Sequence, residues 1–158
     1  MDTKTDNIFQ AIRLKEPLVA LLGSLAEINI KNENNQSLLH EAIAWKNAEA
    51  VGELLRRGID VNIQDSTGRT PLHYACEHSD VTSARLILVK GGKLNIADEN
   101  GNTPVWTAVF NSHGNYDMLR LFLEFGGKEL ARCKNASGKS PFDLASVMGE
   151  KTIVELLS

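Results

Sequence analysis

A four-residue motif that recurs along the chain constrains the fold more than any other feature. It begins with Ser or Thr at residues 37, 70, 103 and 140, so the first two intervals are 33 residues and the third is 37. The four copies are Ser37-Leu38-Leu39-His40, Thr70-Pro71-Leu72-His73, Thr103-Pro104-Val105-Trp106 and Ser140-Pro141-Phe142-Asp143. Self-similarity at a fixed period is typical of repeat architectures, in which each unit packs mainly against its neighbours.

Each motif starts a predicted helix, and a second predicted helix follows it. Ser or Thr is a good helix cap, and proline in the next position loses no hydrogen bond. Apolar residues at i, i+3 and i+4 then mark one stripe of the second helix. The five stripes are Leu18/Leu21/Leu22, Val51/Leu54/Leu55, Ala84/Ile87/Leu88, Leu119/Phe122/Leu123 and Ile153/Leu156/Leu157.

Glycines mark the ends of these second helices and the turns between units. Gly58, Gly91 and Gly126 are placed to end a helix with a positive φ angle. A short extended segment is expected next, at 60–62 and 93–95, and then a turn that carries Gly68, Gly101 or Gly138.

The segment GRTPLHYA at 68–75, the segment GIDVN at 58–62 and the 33-residue period together resemble the ankyrin-repeat family. The resemblance covers about residues 6–158. It implies an all-α repeat solenoid of stacked helix-turn-helix units with short β-hairpin loops, forming a single domain over 1–158. The units are 6–31, 32–64, 65–97, 98–134 and 135–158, and the irregular end units are expected to act as the caps of a complete small protein.

Charge and hydropathy exclude several classes of partner. A net charge of -3 with no basic run longer than Arg56-Arg57 argues against nucleic acid and leaves a weak preference for basic proteins. No apolar run is long enough to span a membrane, and the N-terminus lacks a secretory pattern. Cys76 and Cys133 form no disulfide or metal pattern, so a cytoplasmic protein, monomeric when free, is expected.

No catalytic, cofactor-binding or metal-binding set is predicted. In ankyrin repeats the imidazole at the position of His40 and His73 bonds within its unit and to the next one. Gly138-Lys139-Ser140 resembles the end of a phosphate-binding loop, but Cys133 stands where that loop needs glycine. Cys76 is expected to be buried, and Trp106, which replaces the motif histidine, is expected to be half-buried and to lose the imidazole bond.

Ankyrin domains typically bind proteins through the first helices and the loop tips, so the resemblance implies a partner-binding set at the variable positions of those elements. The predicted set is Trp45, Arg69, Glu77, His78, Glu99, Asn100, Asn102, Phe110, Asn111, Tyr116 and Arg132. Trp45 and Phe110 are the anchors, because exposed aromatic residues are enriched among interface hot spots. The alternative for both is that they pack within the scaffold.

Unit four is longer than its neighbours at two places. The spacing of the markers adds two residues between its helices, in the loop 111–116, and two more in 128–134. Loops tolerate insertion and often carry function, although drift in a tolerant turn explains the first insertion equally well.

The sequence therefore predicts a non-catalytic module that binds a partner protein. Small stand-alone ankyrin proteins of bacteria often look like inhibitors or immunity proteins that mask a toxin or enzyme, which is the alternative. A subunit of a permanent assembly is a third possibility, and an enzyme is the least favoured.

Overall fold

Pairs of short helices follow one another along the chain in a computed structural model, which describes residues 3–23, 25 and 27–158. Within these residues there are ten α-helices and one 3-10 helix, and none of them is long and apolar enough to cross a membrane. The α-helices are α1 Thr3–Leu14, α2 Val19–Gly23, α3 Leu38–Ala44, α4 Ala48–Arg56, α5 Pro71–Glu77, α6 Val81–Val89, α7 Pro104–Phe110, α8 Asp117–Glu124, α9 Pro141–Met148 and α10 Lys151–Leu157.

The odd-numbered helices pack side by side in one row, in the order α1, α3, α5, α7 and α9. Helices α4, α6 and α8 form a second row behind them. We call these the inner and the outer row. Units two, three and four each contribute one helix to each row, so the observed architecture is the expected all-α stack of helix-turn-helix repeats.

Local chemistry explains where the helices begin and end. The hydroxyl of Ser37 accepts a hydrogen bond from the backbone N–H of His40, while Asn47 and Asp80 cap the outer helices α4 and α6 in the same way. Gly58, Gly91 and Gly126 have φ angles of 78°, 90° and 83° directly after the outer helices, as predicted.

The core lies between the two rows and runs through every unit. Ile8, Ile43, Leu54, Ile87 and Phe122 are all fully buried there. The small residues that follow the motif, Ala42, Ala75, Ala108 and Ala145, are at most 4% exposed, which lets inner helices approach closely.

The loops between units contain no β-strand in the described part of the chain, which differs from the expected hairpins. Residues 60–62 and 93–95 lie in coil and turn, and a single bridge joins Lys31 to Ser37. Two backbone hydrogen bonds close each loop tip: in 65–69, Asp65 N donates to Arg69 O at 2.9 Å and Gly68 N donates to Asp65 O at 3.1 Å. These bonds lie within a single turn and do not continue as a ladder, so the loops are turns that stack on one another.

The two insertions in unit four take different forms. The first lengthens the connection between α7 and α8, which occupies 111–116, whereas three residues, 78–80, join α5 to α6. The second follows α8 as a 3-10 helix, Gly127–Leu130, and the buried Ala131 accepts a hydrogen bond from Phe142 N at the start of α9. The second insertion is therefore packed against unit five.

Candidate protein-binding face

One surface combines the inner row with the four loop tips, and we call it the inner-helix face. The tips are residues 32–36, 65–69, 98–102 and 135–139, and each lies directly before the cap of an inner helix. The connections between inner and outer helices lie at the opposite end of the inner helices. This arrangement separates the tips from the loop 111–116 by the length of a helix.

Backbone hydrogen bonds hold the tips in a row. Ser66 N donates to Asn34 O at 2.9 Å, Glu99 N to Thr67 O at 3.0 Å and Ala136 N to Asn100 O at 2.9 Å. Within a tip, one carboxylate oxygen of Asp65 accepts from the backbone of Thr67 and of Arg69. The tips therefore present side chains from an ordered backbone, which reduces the entropy lost on binding.

Two buried histidines link neighbouring units and have no catalytic geometry. Ring Nε2 of His40 lies 3.0 Å from Arg69 O, and Nε2 of His73 lies 3.0 Å from Asn102 O, while each Nδ1 accepts from the backbone N–H of its own cap. Burial lowers the pKa of His40 to about 4 and also lowers that of His73, so both rings are neutral. Their predicted structural role is confirmed.

Unit four has no histidine to make this hydrogen bond to the next loop tip. Trp106 is half-buried there, as predicted, and its indole N–H is buried without an acceptor among the described residues. Its ring stacks on that of Phe110 with centroids 5.3 Å apart and planes inclined by 16°. The bond that His40 and His73 make to the next loop tip therefore has no counterpart at Trp106 among the described residues.

Arg69 holds a polar network at the centre of the face. Its guanidinium donates to Glu77 at 2.9 Å, lies 3.4 Å from Asp65 and stacks over the ring of Tyr74. Burial opposes the ionisation of Asp65, but hydrogen bonds from Tyr74, Thr67 and the backbone outweigh it and lower the pKa of Asp65 to about 2. Arg69 and Glu77 of the predicted set therefore already bind each other.

Large apolar side chains are exposed at the far end of the inner helices, away from the tips. Trp45 is 51% exposed and Phe110 is 53% exposed, so neither is packed into the core. Val147 and Met148 belong with them at 78% and 41%, and Leu14 is 60% exposed on α1. The predicted set omitted these last three, although counting seven or eight residues from each motif start places Val147 and Met148 beside Phe110 in register.

The inner-helix face carries most of the acidic excess of the protein. Among the side chains that the structure describes, eight acidic and three basic residues lie on it: Asp6, Glu33, Glu41, Asp65, Glu77, Asp98, Glu99 and Asp143, with Arg13, Arg69 and Lys139. The rest of the described chain has 13 basic and 11 acidic side chains. The face is thus net negative and the remainder is slightly positive.

Both arginines of the face are paired within it, whereas Lys139 is exposed and forms no ion pair with a described residue. Arg13 pairs with Glu41, and Arg69 pairs with Asp65 and Glu77. Glu33 and Glu99 are exposed at the tips and form no ion pair with any described residue. The field of the face therefore attracts cationic groups.

The remaining residues of the predicted set divide into two groups. Glu99 and Asn100 are exposed at a tip, and His78 is half-buried at the end of α5. The others have intramolecular partners: Asn102 accepts from Asn135 at 2.8 Å, Asn111 donates to Thr107 O, Tyr116 donates to Glu150, and Arg132 stacks over Phe142 at 3.6 Å.

The two cysteines differ in exposure. Cys76 is buried, as expected, and burial raises the pKa of its thiol, while Cys133 is exposed in a loop. No group of three His, Cys, Asp or Glu residues in the described part could hold a metal ion.

The comparisons with known proteins agree with this architecture. A family model for ankyrin repeats, three copies long, matches residues 8–98 and again residues 80–158. A comparison with curated proteins gives no significant match. The family model spans almost the whole chain in two overlapping matches, and the period, loop tips and histidine links belong to the same pattern. The chain is therefore a member of the ankyrin-repeat family, whose repeats are generic protein-interaction modules.

Proposed function

We propose that this protein binds a partner protein through the inner-helix face and performs no catalysis itself. The observation that carries the proposal is the exposure of Trp45 and Phe110, each about half accessible, on a face that also exposes Val147 and carries an excess of acidic residues. Aromatic side chains of this size contribute strongly to interfaces once a partner removes them from water. The free protein is monomeric, and the unpaired cysteines fit the reducing cytoplasm.

The charges of the face define the kind of partner. Its arginines are neutralised within the face, and the exposed carboxylates of Glu33 and Glu99 form no ion pair with the residues that the structure describes. A partner surface that carries Lys or Arg around an apolar centre is complementary to this arrangement. We therefore expect association to slow as salt is added, because screening weakens long-range attraction.

Three single variants test the proposal. The protein is used to capture partners from its native cell, and the captured partner is purified and titrated with wild type, Trp45→Ala, Phe110→Ala and Phe125→Ala. Phe125 is the matched control, because it is 39% exposed at the end of the outer helix α8. We expect each inner-face variant to weaken binding by about tenfold or more and the control to have little effect.

Equal affinity of all four proteins would show that the partner binds elsewhere. Thermal unfolding of each variant is the accompanying measurement. If Trp45→Ala or Phe110→Ala unfolds at a much lower temperature and yet binds normally once folded, the side chain belongs to the scaffold.

Inhibition of the partner is the second candidate, and the acidic excess of the inner-helix face favours it. A negative surface can cover a cationic active site, such as one that binds phosphate groups. Titration of the captured partner's own activity separates the two candidates. Stoichiometric loss of activity, relieved by Phe110→Ala, indicates an inhibitor of the immunity type, whereas unchanged activity indicates recruitment or scaffolding.

A further inference from the structure

A cavity of about 350 Å³ opens on the inner-helix face between units four and five. Its apolar lining comes from Trp106, Leu144 and Val147, and its polar lining includes Asn102, Asn135 and Asp143. It lies where two inner helices, α7 and α9, meet the last two loop tips.

The cavity coincides with the two departures from the repeat. Units two and three have His40 and His73 at the fourth motif position, and each ring reaches the next tip at 3.0 Å. Trp106 and Asp143 occupy the same position in units four and five. The indole N–H makes no hydrogen bond among the described residues, so the link that closes the earlier interfaces is absent here.

Asp143 retains one carboxylate oxygen for a ligand. Its Oδ2 accepts from Ser140 N at 2.9 Å and from Ser140 Oγ at 2.8 Å. Its Oδ1 accepts no hydrogen bond from the described residues, and the side chain forms no ion pair with them. The backbone N–H and hydroxyl of Ser140 lower the pKa of this carboxyl group, so it is ionised at neutral pH.

The aromatic wall is preorganised by stacking. Trp106 lies against Phe110 with nearly parallel rings, so the indole orientation is fixed before a ligand arrives. Asn135 donates to Asn102 at 2.8 Å, which ties the two tips that border the cavity. The site therefore combines a fixed aromatic face, an ionised carboxylate and short apolar side chains.

We propose that this cavity receives an arginine side chain of the partner protein. The guanidinium stacks on Trp106 and donates to the free oxygen of Asp143, while the methylene groups lie against Leu144 and Val147. Arginine fits better than lysine, because its planar group both stacks on rings and pairs with carboxylates, and it is more weakly hydrated. The acidic excess of the whole face supports a cationic occupant. The identity of the partner rests on the proposed function, but the cavity can be tested without the partner.

Lys139 is an exposed residue at the rim of the cavity, and its substitution tests whether the occupant is positively or negatively charged. For an arginine, Lys139→Gln removes repulsion and strengthens binding, whereas Asp143→Asn removes attraction and weakens it. For a carboxylate ligand both signs reverse. Asn at 143 keeps an amide oxygen for the Ser140 donors, so this variant preserves the helix cap.

The probe is a capped Gly-Arg-Gly peptide, with matched citrulline and lysine peptides as controls. The chain has only two tryptophans, so the two indole N–H signals of the ¹⁵N-labelled protein report on the site, through Trp106, and on a distant control, Trp45. We expect a saturable shift of the Trp106 signal with a dissociation constant on the order of 1 mM. Citrulline, which is isosteric and neutral, and Asp143→Asn should each weaken binding by about fivefold or more.

Several results would overturn the inference. They are no saturation by about 20 mM arginine peptide, equal binding of the citrulline peptide, parallel shifts of the Trp45 signal, or tighter binding by Asp143→Asn. Loss of the site in this assay, with partner binding still sensitive to Trp45→Ala, removes the arginine pocket and leaves the proposed function intact. If the arginine peptide binds as expected but Trp45→Ala and Phe110→Ala leave partner binding unchanged, the arginine pocket stands and the proposed function is wrong.

Discussion

A matched pair of glycine substitutions tests whether contacts between loop tips hold the repeats together. Gly101 and Gly138 occupy the same turn position and have φ angles of 75° and 72°. They differ in what a Cβ atom would meet. At Gly101 it would lie 2.8 Å from Ala136 N in the next tip, whereas at Gly138 nothing lies within 4 Å.

The local backbone cost should be similar at both positions. A left-handed conformation costs a non-glycine residue about 1–2 kcal/mol, and the stiffer unfolded chain returns about 0.4–1 kcal/mol. Gly138→Ala should therefore lower the free energy of unfolding by about 1 kcal/mol. Gly101→Ala must also move the next tip, which disturbs the bond from Ala136 N to Asn100 O and adds about 1–3 kcal/mol.

The assay is urea unfolding of wild type and both variants, followed by circular dichroism and by tryptophan fluorescence. We expect Gly101→Ala to be less stable than Gly138→Ala by about 1–3 kcal/mol. We also expect unit five to separate from the main transition, because nearest-neighbour contacts give repeat arrays their cooperativity. Equal stabilities, within about 0.5 kcal/mol, would refute the idea that contact between the tips couples the units.

Three further predictions concern buried groups. Burial lowers the pKa of His40 from 6.5 to about 4, so the unfolded chain binds the proton first as the pH falls. Protonation of His40 alone should therefore lower the free energy of unfolding by about 2 kcal/mol between pH 7 and 5, and His40→Gln should lose less over this range. Equal pH dependence of wild type and His40→Gln in urea unfolding would contradict this. Tyr74→Phe removes the hydroxyl that donates to Asp65 at 2.8 Å and should lower the free energy of unfolding by about 1–2 kcal/mol in urea, so an unchanged midpoint would count against the network. Iodoacetamide should modify the exposed Cys133 but not the buried Cys76 in the native protein, and mass spectrometry would contradict this by finding two adducts.

Sequence reasoning succeeded where the signal is local and repeated. Period, caps and terminal glycines depend on backbone preferences within a few residues, so the helix pairs, the left-handed φ of Gly58 and the links made by His40 and His73 all agree with the structure. The two lengthened loops of unit four were also placed correctly, since an insertion changes a count that the neighbouring repeats define. The expected β-hairpins were wrong in detail, because a β-strand forms only where backbone hydrogen bonds continue as a ladder.

The candidate site was only partly accessible from the sequence. The variable positions of the repeat pointed to Trp45 and Phe110, and both are exposed on the inner-helix face. Pattern alone could not show that Tyr116 and Arg132 bind Glu150 and Phe142, because those partners lie in another unit. Both residues remain predicted contact residues, and each would have to break its intramolecular contact to bind a partner protein.

The sequence by itself determined the stacked repeat architecture and the positions free to vary, because both follow from interactions within 33 residues. Only the tertiary structure decided which of those positions are available. It paired Tyr116 with Glu150 of the next unit and brought Trp106 and Asp143, 37 residues apart, into one cavity. Availability depends on what a neighbouring unit contributes to the same space, and no single repeat contains that information.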